Sequence, residues 1–355
     1  SSWLEPMGIK VSTLTGRLGA ADRRAALEAI GSGGAGVVVG THALFQAGVE
    51  FHRLGLIIID EQHRFGVHQR LALTEKGEDG DLRPHQLVMT ATPIPRTLAM
   101  TSYADLDTSV IDELPPGRGR VTTVAIPDSR RAEVITRVRQ ACADGRQAYW
   151  VCPLIEESEL LQYQAAEDTA RVLGDALKEL SVGLVHGRMK ARDKEAVMGR
   201  FKAGEIDLLV ATTVIEVGVD VPNASLMIVE NAERMGLAQL HQLRGRVGRG
   251  RDDASCVLMY HPPLGQGAER RLRTMRETTD GFLIAEEDLR LRGPGEVLGT
   301  RQTGVMQMRV ADLMRDQHLL SRIRRTADGM LARHDPAVGA LLERWIGDAT
   351  RYGQV

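Results

Sequence analysis

The sequence predicts an α/β protein of two parallel-sheet lobes, the first of them truncated, followed by a helical C-terminal region. Three observations predict it. Apolar runs without alternation, such as Leu56-Ile57-Ile58-Ile59, stop abruptly at polar or acidic residues, as strands buried on both faces of a parallel sheet do. These runs alternate with helical stretches along most of the chain. The segment Glu113–Arg120, with two prolines and two glycines, then interrupts the rhythm and reads as a linker. The expected domains are therefore residues 1–115, 116–262 and 263–355.

In the first lobe a strand over Ile9–Leu14 leads to Thr15 and Gly16, and a helix over Ala20–Ile30 ends in a glycine-rich turn. A second strand, Gly36–Gly40, delivers Thr41 and His42 to its end. The run before Asp60 and Glu61 is a third, followed by a helix over Arg64–Lys76 and a polar loop over Gly77–Arg83. Gln86–Met89 is a fourth strand, bringing Thr90, Ala91 and Thr92 to the same edge, and Pro93 and Pro95 forbid it from continuing.

Beyond the linker the rhythm restarts. Strands are expected at Val121–Ile126, Gln147–Cys152, Val182–His186, Asp207–Ala211 and Ser225–Val229, with helices at Arg130–Cys142, Tyr163–Leu180 and Arg192–Phe201. A further helix is expected from near Leu237. From about Pro262 the strands cease, and a charged helical appendage broken at Arg292-Gly293-Pro294-Gly295 takes over.

The 355 residues suffice for two cores, at 43% hydrophobic content. No apolar run approaches the roughly 18 residues of a membrane span, and no secretory leader is visible, so the expected compartment is the cytoplasm. Cys142, Cys152 and Cys256 lie far apart without CxxC spacing, which argues against a disulfide framework or a zinc site and for inert thiols. A net charge of −2 excludes a globally basic nucleic-acid binder, so any such contact rests on local patches. Ser1 in place of Met suggests a chain cut from something longer.

Asp60 and Glu61 are the first chemical signal. In a nucleoside triphosphatase a strand end of this kind holds magnesium through its Asp, while a neighbouring Glu takes a proton from the attacking water. A strand running into a charged turn fits the same letters equally well. Two later stretches sharpen the reading. Ala211–Pro222 follows a strand and carries Gly218 and Asp220 where a loop meets nucleotide or nucleic-acid backbone. Gln242–Arg249 (QLRGRVGR) places Arg246 and Arg249 three apart at a helix end, where forked guanidinium donors share a face toward phosphate.

In order and spacing, Asp60–His63 (DEQH), Thr90-Ala91-Thr92, Asp207–Pro222 and Gln242–Arg249 resemble motifs II, III, V and VI of superfamily 2 helicases. The resemblance is closer still to the RecG branch, through Gly40–Gln46 (GTHALFQ), Met89–Ala99, Val151–Glu159 and His186–Lys190 (HGRMK). Gly281–Gly304 is similar to the branch's translocation motif. The match runs from about residue 9 to 325.

The resemblance implies two RecA-like lobes that hydrolyse ATP with Mg2+ and move along branched or forked double-stranded DNA in recombination and repair, in the bacterial cytoplasm at the nucleoid; the sequence signals no oligomerisation, and a monomer is the expectation. Asp60 would hold the metal, Glu61 would polarise the water, and Gln62 and His63 would sense the γ-phosphate and link to Thr90 and Thr92. Arg246 and Arg249 would act from the second lobe as arginine fingers, Gln242 would orient the site, Asp220 would meet the ribose, and Gly218 would line the nucleotide. Thr15, Gly16, Thr41, His186, Gly187 and Thr212 are the DNA-backbone candidates. Arg292, Gly293, Arg301 and Gln302 would belong to a lever that turns lobe closure into translocation.

Blander readings accompany these. Arg244 and Arg251 read as solvated neighbours of the fingers. His42 and His63 lack partners at metal-ligand spacing. Met189, Met198 and Met306 read as gap-filling residues, and Arg322–Arg325 as a solvated helix face. The sequence holds no Gly-Lys pair, hence no phosphate-cradling loop, and in the family that loop and the wedge domain precede the segment matched here. Two alternatives follow: a transcription-repair coupling translocase, which shares several strings, and a hydrolysis-dead DNA-binding module.

Overall fold

In a computed structural model the described residues are 2–61, 72–77, 82–90, 107–111, 113, 119–153, 159–212, 221–250, 254–292 and 316–345. They fall into two compact units, one built on Ser1–Ala91 and taking in Ser321–Val355, the other on Thr92–Val297.

In the first unit Val11–Leu14 (β1) and Val37–Gly40 (β2) pair in parallel, joined by the crossover helix Ala20–Gly31 (α1). Ala26 and Ile30 on one face of α1 bury against Leu14, Ala43 and Val49. Gly40 is required where it stands, because a Cβ there would lie 2.3 Å from the Leu14 carbonyl oxygen. A second parallel pair, Leu56–Ile59 (β3) and His85–Val88 (β4), forms its own two-stranded sheet among the described residues. The expectation that β3 is buried on both faces is corrected here. Ile57 and Ile59 are buried with Leu73, but Leu56 and Ile58 are 54% and 57% exposed. The strand alternates, so one face of this pair has no described layer upon it. Residues 72–75 are helical, within the helix expected over Arg64–Lys76.

The second unit holds a six-stranded sheet, parallel throughout, of Val121–Pro127 (β5), Gln147–Val151 (β6), Val182–Val185 (β7), Leu208–Ala211 (β8), Ala224–Val229 (β9) and Ala254–Tyr260 (β10). The strands lie in the order β5-β10-β9-β6-β8-β7. Five of them stand close to their expected places. The sixth, β10, is a correction: Ala-Ser-Cys-Val-Leu-Met-Tyr has one β-branched residue and no clean alternation, so propensity does not reveal a strand that lies between β5 and β9.

Alternate strand residues feed opposite faces. Ala148, Trp150, Leu208, Val210 and Ile228 pack beneath Arg131–Ala143 (α2) and Glu159–Ala176 (α3), the latter beginning a turn earlier than expected. Tyr149, Val151, Leu209, Met227 and Val229 pack against Ala191–Lys202 (α4) and Leu237–Arg244 (α5). Each fully buried large side chain contributes about 1.5–3 kcal/mol. The two helices after Pro262, Gln266–Glu277 (α6) and Gly281–Arg292 (α7), supply Leu272, Met275 and Ile284 to this same core.

Leu320–Ala332 (α8) and Ala337–Trp345 (α9) follow near the C-terminus. Arg322, Arg324 and Arg325 are exposed on α8, as a solvated face requires.

Candidate nucleotide and nucleic-acid site

Parallel pairing carries the chemical residues of each unit to one edge of its sheets. In the first unit the Met89 N–H donates to the Ile59 carbonyl at 2.7 Å, so the ends of β3 and β4 are level and Thr90 comes to the edge that bears Asp60 and Glu61. Asp60 is exposed, and its Oδ1 accepts the Glu61 N–H at 2.8 Å. Glu61 has φ 53°, a left-handed conformation that costs a side-chain-bearing residue about 1–2 kcal/mol. The turn thereby ends the strand and leaves the Asp60 carboxylate in solvent. At the other pair the Thr41 N–H donates to the Leu14 carbonyl at 3.3 Å, which sets Thr41 beside Thr15 and Gly16.

In the second unit β7 and β8 end together. The Thr212 N–H donates to the Val185 carbonyl at 3.2 Å, bringing Thr212 alongside His186 and Gly187. Thr212 is fully buried, and among the described residues neither its Oγ1 nor His186 Nδ1 has a hydrogen-bond partner. Helix α3 grips this edge. Tyr163 stands with its ring 5.3 Å from that of His186, and its hydroxyl lies 2.8 Å from where a Gly187 Cβ would sit. Glu167, one turn along, brings Oε1 to 3.6 Å from His186 Nε2. Lys194 Nζ donates to the Gly187 carbonyl at 2.7 Å.

The arginine string corrects the sequence reading twice. Helix α5 ends at Arg244 with Gly245 as its cap, so Arg246 and Arg249 lie in the turn beyond it and share no helix face. Gly248, at φ 77°, redirects the chain before Arg249, whose Nε donates to the Gly245 carbonyl at 3.3 Å. Arg246 and Gln242 are half-buried and Arg249 is exposed.

Arg244, expected to be solvated, is 4% exposed. One guanidinium nitrogen donates to the carbonyls of Met275 at 3.0 Å and Thr278 at 2.8 Å, and the other lies 3.1 Å from His241 Nδ1. Burial pulls its pKa below the usual arginine value, opposed by charge on Cys256. Helical spacing held this signal, since Leu237, Leu240 and Arg244 fall on one stripe.

Gln62, His63, Thr92, Gly218, Asp220, Gly293, Arg301, Gln302 and Arg251 lie outside the described residues, and Arg292 is placed only as the last residue of α7. Among the described residues no cluster of His, Cys, Asp or Glu could hold a metal unaided. An exposed Asp60 fits magnesium that takes its remaining ligands from phosphate and water. The phosphate cradle itself has no counterpart in the sequence.

Three family models match the chain: DEAD/DEAH box helicase over residues 1–101, helicase conserved C-terminal domain over 132–251, and ATP-dependent DNA helicase RecG, domain 3, C-terminal, over 278–342. The chain is 63% identical over 352 residues to the ATP-dependent DNA helicase RecG of Escherichia coli O157:H7, covering 99% of this chain and 51% of that protein. To RecG of Haemophilus influenzae it is 60% identical over 351 residues, with coverages of 99% and 51%. The chain thus spans about half the length of the curated relatives it matches. A structure of RecG bound to a three-way DNA junction superposes with a TM-score of 0.66 at 45% identity, covering 89% of this chain and 41% of that one. Mycobacterium smegmatis helicase Lhr bound to ssDNA and AMP-PNP, 20% identical with a TM-score of 0.54 over 72% of this chain and 36% of that one, shares the fold alone. Helicase strand-end motifs on parallel sheets, an arginine turn after α5, and a RecG-specific C-terminal match in one order agree on a single assignment: the chain belongs to the RecG family of ATP-dependent DNA helicases.

Proposed function

We propose that this chain is the motor portion of an ATP-dependent helicase or translocase that acts on branched double-stranded DNA, such as stalled forks and four-way junctions, in recombination and repair. The observation that carries the reading is the 45% identity to RecG held on a three-way junction. Residues 1–115 would serve as the ATP-binding lobe, 116–262 as the second motor lobe, and 263–355 as the region bearing the translocation motif. Asp60 would hold Mg2+ with ATP, Glu61 would take the proton of the attacking water, and Gln242, Arg246 and Arg249 would act on the γ-phosphate. A bound magnesium nucleotide supplies the phosphoryl group and the charge these side chains address. Gln62, His63, Gly218 and Asp220 are assigned to the nucleotide, and Thr90, Thr92, Arg292, Gly293, Arg301 and Gln302 to coupling.

Thr15, Gly16, Thr41, His186, Gly187 and Thr212 would contact the DNA backbone, which hydroxyls and amides meet without regard to sequence. The orphaned Thr212 Oγ1 and His186 Nδ1 support that part, since polar atoms buried without partners are costly and few. The working place would be the bacterial cytoplasm at the nucleoid, with the protein as a monomer. No helix among the described residues is long and apolar enough to cross a membrane.

The degree of identity to RecG favours this over a transcription-repair coupling translocase. The absent Gly-Lys pair favours a second reading for the isolated chain, that of a module which binds DNA without turning over ATP. Titrating duplex and three-way-junction DNA with the 355-residue chain, and assaying Mg-ATP turnover with and without that DNA, tests both. Binding should be blind to sequence and fall steeply with salt. Turnover should be negligible. Failure to bind either DNA overturns the motor reading, and robust DNA-stimulated turnover overturns the expectation of an inactive chain.

A further inference from the structure

Arg244 is a buried cation where a leucine or methionine would fill the same space. An apolar side chain would avoid the desolvation of a guanidinium, so a retained arginine suggests that direction matters as well as volume. Its donors fix a relation between three elements. Arg244 is the last residue of α5, immediately before the turn that carries Arg246 and Arg249. Both carbonyls it reaches, those of Met275 and Thr278, belong to the C-terminal end of α6, where unpaired carbonyls and the helix dipole favour a cation. Thr278 in turn begins the corner into α7. Its Oγ1 accepts the Asp280 N–H at 3.0 Å, and Asp280 Oδ1 accepts the Phe282 N–H at 2.8 Å, capping α7. Helix α7 runs to Arg292, where the sequence of the lever motif continues.

We propose that Arg244 is a positioning residue that binds the arginine turn and the α6–α7 corner into one body, so that a displacement of Arg246 and Arg249 is passed to α7. This rests on the reading of those two arginines as phosphate-facing. An apolar residue at 244 would keep the core filled but let the turn and the corner shift independently. A lysine, with one compact ammonium group, would hold the corner less well than the planar fork does.

Hydrogen exchange on the whole chain reads this link without requiring turnover. Asp280→Ala loosens the far side of the corner. In the parent it should speed amide exchange at residues 245–249 by at least about threefold, the size expected of coupled neighbours. In an Arg244→Met background the same change should leave 245–249 unaltered, while the amides of β8 keep their protection in every variant. Arg244→Leu, which likewise removes every donor, serves in the same cycle if the methionine variant does not fold. Equal acceleration with and without Arg244, or none in the parent, overturns the proposal. If the coupling is present but Mg-ATP and DNA never alter exchange at 245–249, the link stands and the motor reading is what fails.

Discussion

The backbone N–H of Glu61 donates to the Asp60 carboxylate at 2.8 Å while Glu61 itself holds φ 53°. Left-handed backbone at a side-chain-bearing residue, placed next to an exposed acid at a strand end, is strain located where chemistry is proposed. Glu61→Gly should leave the first unit about 1 kcal/mol more stable than Glu61→Ala, because glycine alone adopts this φ without cost. Urea unfolding of the two variants measures it, and equal midpoints would remove the strain argument.

Gly40 tests the close approach of β1 and the turn after β2. A Cβ 2.3 Å from the Leu14 carbonyl cannot be absorbed by a side-chain rotation, since the obstacle is backbone. Gly40→Ala should destabilise the first unit by about 1–3 kcal/mol and displace Thr41 from Thr15. Thermal unfolding followed with DNA titration reads both effects, and a variant as stable as the parent counts against the placement.

Thr212 separates a structural from a functional hydroxyl. Its Oγ1 is buried without a partner among the described residues, so Thr212→Val removes an unsatisfied polar atom at nearly constant volume. Stability should hold or rise by about 1 kcal/mol, while duplex affinity drops. A valine variant that binds DNA as the parent does would remove Thr212 from the proposed contact.

The cysteines predict an alkaline limit. Burial, with Asp207 near Cys142 and Glu230 near Cys152, pushes their thiols up to about 11 and about 12, and burial, opposed by the Arg244 charge, takes Cys256 to about 12. Unfolded thiols ionise near 9, so above that pH the unfolded chain binds fewer protons than the folded one, and stability falls through a window that reaches about 11 for Cys142 and about 12 for Cys152 and Cys256. By pH 10 the loss should be about 1.4 kcal/mol per thiol relative to a variant with all three replaced by alanine. Alkylating reagents at pH 8 should leave the native thiols untouched, and rapid labelling of all three would contradict their burial.

Leu56, Ile58, Leu87 and Met89 expose an apolar face on β3 and β4. Residues 1–112 should therefore be cut by protease before residues 121–260, whose sheet carries helices on both faces. Equal protection of the two segments would show that the exposed face is covered in solution.

Much of the fold was legible because unbroken apolar runs bounded by glycine, proline or acids have few other meanings. β6, β8 and β9 are buried throughout and stand near their expected places. β10 escaped because its letters hold a single β-branched residue and no clean alternation, and only its neighbours β5 and β9 make it a strand. Of the candidate site, the residues at strand ends were readable, since parallel strands deliver their final residues to one edge. Arg246 and Arg249 were found by their string, but the helix supposed to align them stops short of both.

The sequence by itself determined the α/β class, the alternation of strands and helices, and which polar residues follow which strands, because these depend on local periodicity and on breakers. Tertiary structure alone decided that β3 shows one apolar face, that β10 enters the sheet between distant partners, and which carbonyls the buried Arg244 reaches. Each of these depends on what packs against a residue, and two carbonyls more than thirty positions along the chain from an arginine leave no mark in its neighbouring letters.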